Sequence, residues 1–145
     1  VQQVHQNDGT REEIVLKFFA YLERGDRYDG NVTEFLNAYM KEASSKFDIE
    51  AGRKLFMEVV EIIHEIVKGP ILRRGYGLTP LNQLEAILVG AGRIIRSGKK
   101  VKKPRGDWLN DEELVKFSTK GTNTRSAFNG RNSRAEEILT GKFSK

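Results

Sequence analysis

Cysteine is absent from this 145-residue chain. Disulfides and thiolate metal sites are therefore excluded, and the absence fits a reducing, cytoplasmic setting. Histidine is nearly absent, with only His5 and His64. Neither has a second histidine or a cysteine at ligand spacing, so no metal site is expected. The three prolines fall at positions 70, 80 and 104, in a stop, a first turn and a linker. No apolar run approaches the length of a membrane span, and no signal-peptide pattern opens the chain. No stretch alternates apolar and polar residues long enough for a strand, and there is no internal repeat. Neither a phosphate-binding P-loop nor a serine nucleophile elbow is present.

What is there is a globular composition, 38% hydrophobic and 31% charged, long enough for one domain. The first residue is Val and the first nine, VQQVHQNDG, are mostly polar, which reads as a flexible start over 1–9 and as a cut point in a longer protein. Residues 10–145 are expected to form a single helical domain. Charge is uneven. Val1 to Leu72 carries a net −4, whereas Arg73 to Lys145 carries a net +9. Such asymmetry points the second half toward an anionic partner, nucleic acid above all, or leaves it as a solvated basic surface.

The spacing of apolar residues predicts an all-α bundle of five or six helices around a central helix at about 49–68. On that helix Ile49, Leu55, Phe56, Val59, Val60, Ile62, Ile63, Ile66 and Val67 fall in an arc roughly 160° wide at about 100° per residue. Asp48 is its expected N-cap and Gly69-Pro70 its stop. A first helix, about Arg11 to Arg24, has Thr10 and Glu13 as a capping box. Its stripe is Ile14, Val15, Phe18, Phe19 and Leu22, and Gly25 ends it. A second, about Val32 to Ser44, is capped by Asn31 with Glu34 and buries Phe35, Leu36, Tyr39, Met40 and Ala43. Asn31-Val32-Thr33 matches a glycosylation sequon, but the cap explains Asn31 better.

Residues 70–78 form a connector. A fourth helix starts at Thr79 with Pro80 in its first turn, and carries Leu81, Leu84, Ile87, Leu88, Ala91, Ile94 and Ile95. Gly90 and Gly92 inside it imply close approach of a neighbour. They make no dinucleotide fingerprint, since no strand precedes them. Residues 97–107, SGKKVKKPRGD, are a basic linker. A short helix, about Asp111 to Thr119, is expected to be capped by Asn110, with Trp108, Leu109, Leu114 and Phe117 as anchors. A last helix, roughly Thr124 to Thr140, carries Phe128, Ala135, Ile138 and Leu139. Asn129-Gly130 reads locally as a turn that would break it.

No constellation of these residues is catalytic. Glu58, Glu61 and Glu65 share the polar face of the central helix, where paired carboxylates could act as acid and base. With Lys54 and Lys68 as helical neighbours, they read better as a solvated or docking face. His64 sits at the edge of that face, and Arg53 lies too far from it for an Arg-His ribonuclease signature. The basic linker is the strongest binding feature. Lys99, Lys100, Lys102, Lys103 and Arg105 cluster there, with Arg93 and Arg96 just before and Arg125, Arg131 and Arg134 after. Clustered flexible cations suit phosphate contacts. Trp108 is the one ring near enough to stack on a base, and it reads as core.

The stretch R-E-E-I-V-L-K-F-F-A-Y-L from Arg11 to Leu22, with Tyr28-x-Gly30 and T-E-F-L-N-A-Y-M from Thr33 to Met40, resembles a segment of the GmrSD-type restriction-endonuclease N-terminal-domain family. The end of the chain is similar too, with Gly121-Thr122-Asn123-Thr124, then Arg131, Arg134 and E-E-I-L from Glu136 to Leu139. The family's amino-terminal part, related to ParB/sulfiredoxin-like nucleases, carries an Asp-Gly-Gln-Gln-Arg motif linked to nucleotide hydrolysis and DNA cleavage. This sequence lacks that motif, so it resembles the helical part alone and no catalytic residue is carried over. The resemblance implies one continuous last helix through Gly130. It also implies a prokaryotic defence protein that restricts foreign DNA.

The resulting expectation is a cytoplasmic helical accessory region that contacts DNA and supports a missing N-terminal catalytic domain. Alone it would be no enzyme and hold no cofactor, while the parent protein would use a nucleotide and a divalent metal. The alternatives are a stand-alone nucleic-acid-binding module, or a protein-interaction module using Glu58, Glu61 and Glu65. No membrane partner is expected.

Overall fold

Capping side chains set where the helices begin. Asn31 Oδ1 accepts from the Glu34 N–H at 3.1 Å, Asp48 Oδ1 from Ala51 at 3.1 Å and Thr124 Oγ1 from Ala127 at 3.2 Å. Each satisfies one of the orphan donors of a first helical turn. The computed structural model describes residues 10–68, 81–119 and 121–142, and of residues 10, 11 and 142 the backbone only. The expected Thr10 cap, the Gly69-Pro70 stop, the connector and the Thr79-Pro80 helix start lie outside what is described.

Among the described residues there are six α-helices and no strand. They are α1 (Thr10–Arg24), α2 (Val32–Ala43), α3 (Ile49–Val67), α4 (Leu81–Arg96), α5 (Glu112–Phe117) and α6 (Arg125–Glu137). Single 3-10 turns cover Gly25–Arg27 and Trp108–Asn110, and a wide π turn, Ile138–Lys142, follows α6. The helices pack together as the all-α bundle that the periodicity predicts. No described helix is long and apolar enough to cross a membrane.

The centre of the packing is α4, not α3. Ten of the 16 residues of α4 are buried, whereas α3 buries only Gly52, Val59 and Ile63 fully. Ile49 and Val60, at the edge of the expected α3 stripe, are 66% and 36% exposed. The physical reason is size. A Cβ on Gly90 would stand 2.9 Å from the Glu136 backbone nitrogen, and one on Gly92 would stand 3.0 Å from the Phe18 ring. Small residues on opposite faces let α6 and α1 close directly onto the α4 backbone. The apolar width of α3 is partly spent on Phe18, Phe19 and Phe47, whose rings meet Phe56 or each other at 4.9–6.3 Å. A second aromatic cluster joins Tyr21, Tyr28, Phe35 and Phe128.

Two local expectations change, and of the two readings of the last helix the continuous one holds. Met40 of α2 is 45% exposed rather than buried. The short helix α5 is capped by Asp111, whose carboxylate accepts from the Leu114 N–H, and not by Asn110. Asn110 belongs instead to the preceding 3-10 turn. The last helix runs unbroken through Gly130, where the local Asn-Gly signal reads as a turn. A side chain there would meet the Phe117 ring at 2.7 Å, so the glycine serves helix contact.

Candidate nucleic-acid interface

The basic loop 97–107 leaves α4 through a Schellman turn. The Lys99 N–H reaches the Ile94 carbonyl at 3.1 Å and the Gly98 N–H reaches Ile95 at 3.0 Å. Gly98 takes φ +79°, the left-handed position that this motif assigns to glycine. The loop is then tied down at three points. Lys102 N–H donates to Leu139 O at 2.8 Å, Val101 is half-buried and Pro104 is buried. The aliphatic part of Lys102 lies over Gly141, where a Cβ would come within 2.9 Å of its Cδ. A linker in the sequence is thus a fixed ledge beside the end of α6.

On that ledge Lys99, Lys100, Lys102, Lys103 and Arg105 are all exposed. None makes an ion pair with a described residue. Lys99, Lys100 and Lys102 line one wall of an open groove of about 590 Å³, and Ser133, Glu136, Glu137 and Thr140 line the other.

The expected arginines are spent elsewhere. Arg93 pairs with Glu136 at 3.5 Å, and Arg96 with Glu23 at 3.1 Å. Arg125 donates to the Asp26 carbonyl at 3.4 Å. Arg134 grips both carboxylate oxygens of Asp111 at 2.9 and 2.8 Å, and lies 3.9 Å from Glu137. Arg131 is 5% exposed and donates to the carbonyls of Thr122 and Phe117. The structure therefore brings Lys99, Lys100 and Lys102 to one groove wall, leaves Lys103 and Arg105 exposed on the same loop, and builds Arg131 and Arg134 into the fold. The cation pairs of Arg93 and Arg134 partly neutralise the acidic wall of the groove, while nothing described neutralises the lysine wall.

Two other polar regions complete the survey. On α3, Glu58, Glu61, Glu65 and His64 are exposed, next to exposed Met57 and Val60. Beneath the α1–α4–α6 junction, Glu85 is 6% exposed and stands 3.2 Å from Lys17 Nζ. Burial pushes the Glu85 carboxyl above the usual carboxylate range in spite of the Lys17 charge. Burial alone would lower Lys17, but the Glu85 and Glu13 charges outweigh it and leave that ammonium raised. Burial, reinforced by the Glu85 charge, raises the nearby Tyr21 phenol. This internal cluster was not foreseen. Its one signal in the sequence is a carboxylate at position 85, on the helical row of Leu81 and Leu88. Among the described residues no group of three or more His, Asp or Glu side chains is placed to hold a metal.

No protein-family model, curated protein or solved structure matches this chain.

Proposed function

We propose that this chain is the helical, DNA-contacting part of a restriction-like, nucleotide-dependent DNA nuclease, and that loop 97–107 is its contact surface. One observation carries the reading. Five exposed cations without an acidic partner among the described residues stand on a loop whose backbone is pinned to the fold. Unpaired cations on a fixed surface are poised to replace the counterions condensed on DNA, and release of those counterions drives association. The resemblance to the GmrSD-type family supplies the nuclease context. In that context cleavage, the nucleotide and the divalent metal belong to an N-terminal part bearing the Asp-Gly-Gln-Gln-Arg motif.

The test is a titration of the chain with a fluorescent DNA duplex at 50 and 200 mM salt. Three or four phosphate contacts weaken binding roughly 40- to 150-fold over that interval. Charge reversal at Lys99, Lys100 and Lys103 is expected to abolish the salt-sensitive part. Reversal of Glu58, Glu61 and Glu65 on α3 is expected to leave it intact. Absence of binding at 50 mM salt sinks the proposal.

A further inference from the structure

We propose that loop 97–107 engages the sugar-phosphate backbone of duplex DNA without reading its bases, and prefers duplex to single strand. The inference rests on the nucleic-acid reading above and adds what kind of nucleic acid the surface takes.

Donor chemistry is the first argument. Base edges are read by planar, bidentate groups, with arginine on guanine the commonest pairing. A lysine ammonium is a rotatable point charge that suits a phosphate and carries no such geometry. Four of the five cations with no ion-pair partner among the described residues are lysines. Arg105 is the one arginine among them, and the arginines that flank the loop are occupied: Arg93 by Glu136, Arg96 by Glu23 and Arg134 by Asp111.

Shape is the second argument. The major groove admits a helix or a two-stranded ribbon. This loop is neither, and its attachment to Leu139 and its buried Pro104 hold it against the bundle. Across the groove, Glu136 and Glu137 face the lysine wall. Their charge keeps a phosphate from settling on that side, so a polyanion rides the lysine rim. Cations spaced along a pinned backbone match the regular phosphate spacing of a duplex better than a flexible strand.

Aromatic placement is the third. Single strands are held by bases stacked on rings. Trp108, next to the loop, is 6% exposed, and among the described residues every aromatic ring is buried or half-buried.

The experiment compares three 24-base-pair duplexes, one AT-rich, one GC-rich and one mixed, with a 24-nucleotide single strand, by fluorescence anisotropy at several salt concentrations. Affinities for the duplexes are expected to agree within about twofold, with the single strand weaker. The logarithmic salt slope on duplex is expected to fall by about 0.9 for each contacting lysine among Lys99, Lys100 and Lys103 changed to glutamine, equally for all duplexes. These three side chains are exposed, so folding of the variants is checked simply by circular dichroism. A tenfold or greater difference in affinity among the three duplexes, or a single strand bound as tightly as duplex, overturns the inference and leaves the DNA-contacting role standing. Binding that is absent or insensitive to salt for every probe overturns both.

Discussion

Asp111 does two jobs for residues far apart in sequence. Its carboxylate accepts the Leu114 N–H at 3.1 Å, capping α5, and receives both the Nε and an Nη of Arg134 at 2.9 and 2.8 Å. One side chain thus starts a six-residue helix and fastens it to α6. The Arg134 hydrogen bonds, with those of the backbone, hold the Asp111 carboxyl below its usual range. A depressed carboxylate adds stability that is present above its unfolded value of about 3.9 and is lost as pH falls through the lower, folded value. Asp111→Ala is expected to cost about 2 kcal/mol or more, since a cap and a charge-assisted pair go together. Asp111→Asn should recover part of the cap only. Urea midpoints at pH 7 and below pH 4 check both points, because the wild-type advantage over Asp111→Asn must shrink at the acid end.

Helix contact at glycine makes the second prediction. Alanine normally gains about 1 kcal/mol over glycine inside a helix. Here Gly90→Ala and Gly130→Ala should both destabilise, with overpacking costing about 1–3 kcal/mol each. The order is set by what the new methyl meets. At position 90 it is α6 backbone, 2.9 Å from the Glu136 nitrogen, and at position 130 it is the Phe117 ring at 2.7 Å. A ring can swing aside, but a helix backbone must move as a unit, so Gly90→Ala should lower the urea midpoint more. Equal losses, or a gain at 90, would contradict the α4–α6 contact.

The same residues show which parts of the fold are legible in a sequence. Caps at Asn31 and Asp48 are local chemistry, decided within three residues, and reading alone finds them. Asn110 and Asp111 are both able caps, and the choice between them is made by Arg134, 23 residues away. A helical wheel sees the width of the α3 stripe, and Gly90 and Gly92 already imply a close neighbour. Neither says that the neighbours are α6 and α1 and that α4 is therefore the centre. The basic surface divides in the same way. Counting cations finds ten candidates, but their partners lie at long range, as Arg96 and Glu23 do across 73 residues. The lysines of loop 97–107 need no such knowledge, because no described acid pairs with them, Glu136 and Glu137 across the groove included. Gly130 shows the two kinds of signal in conflict, since its local Asn-Gly pair reads as a turn while its contact with Phe117 belongs to a helix.

Glu85 gives a pH signature of opposite sign to that of Asp111. Burial raises its carboxyl above the ordinary value despite Lys17 at 3.2 Å. A raised folded value means the native state holds the proton longer. The contribution is therefore complete below the unfolded carboxylate value, about 4.3, and is lost as pH rises through the folded one. Glu85→Gln removes the titration. Between pH 4 and 7 the stability of the variant relative to wild type should rise, read as the difference between paired urea midpoints. Parallel curves would mean that Glu85 titrates as an ordinary carboxylate.

Arg131 and the loop lysines, grouped together by charge, should part company under mutation. Arg131 is 5% exposed, donates to Thr122 O at 2.6 Å and Phe117 O at 3.4 Å, and lies 5.7 Å from the Phe128 ring centroid. Arg131→Ala strands two carbonyls and opens a void, and is expected to cost about 3 kcal/mol. Lys99→Gln, Lys100→Gln and Lys103→Gln touch no partner and should each stay within about 0.5 kcal/mol. Denaturant midpoints at constant m-value measure both. The comparison decides how DNA-binding data are to be read. Weaker binding by a stable lysine variant reports a lost contact, whereas weaker binding by Arg131→Ala reports lost fold. If Arg131→Ala instead keeps its midpoint and weakens DNA binding as the lysine variants do, α6 is part of the contact surface, and the division between fold-building arginines and DNA-facing lysines is wrong.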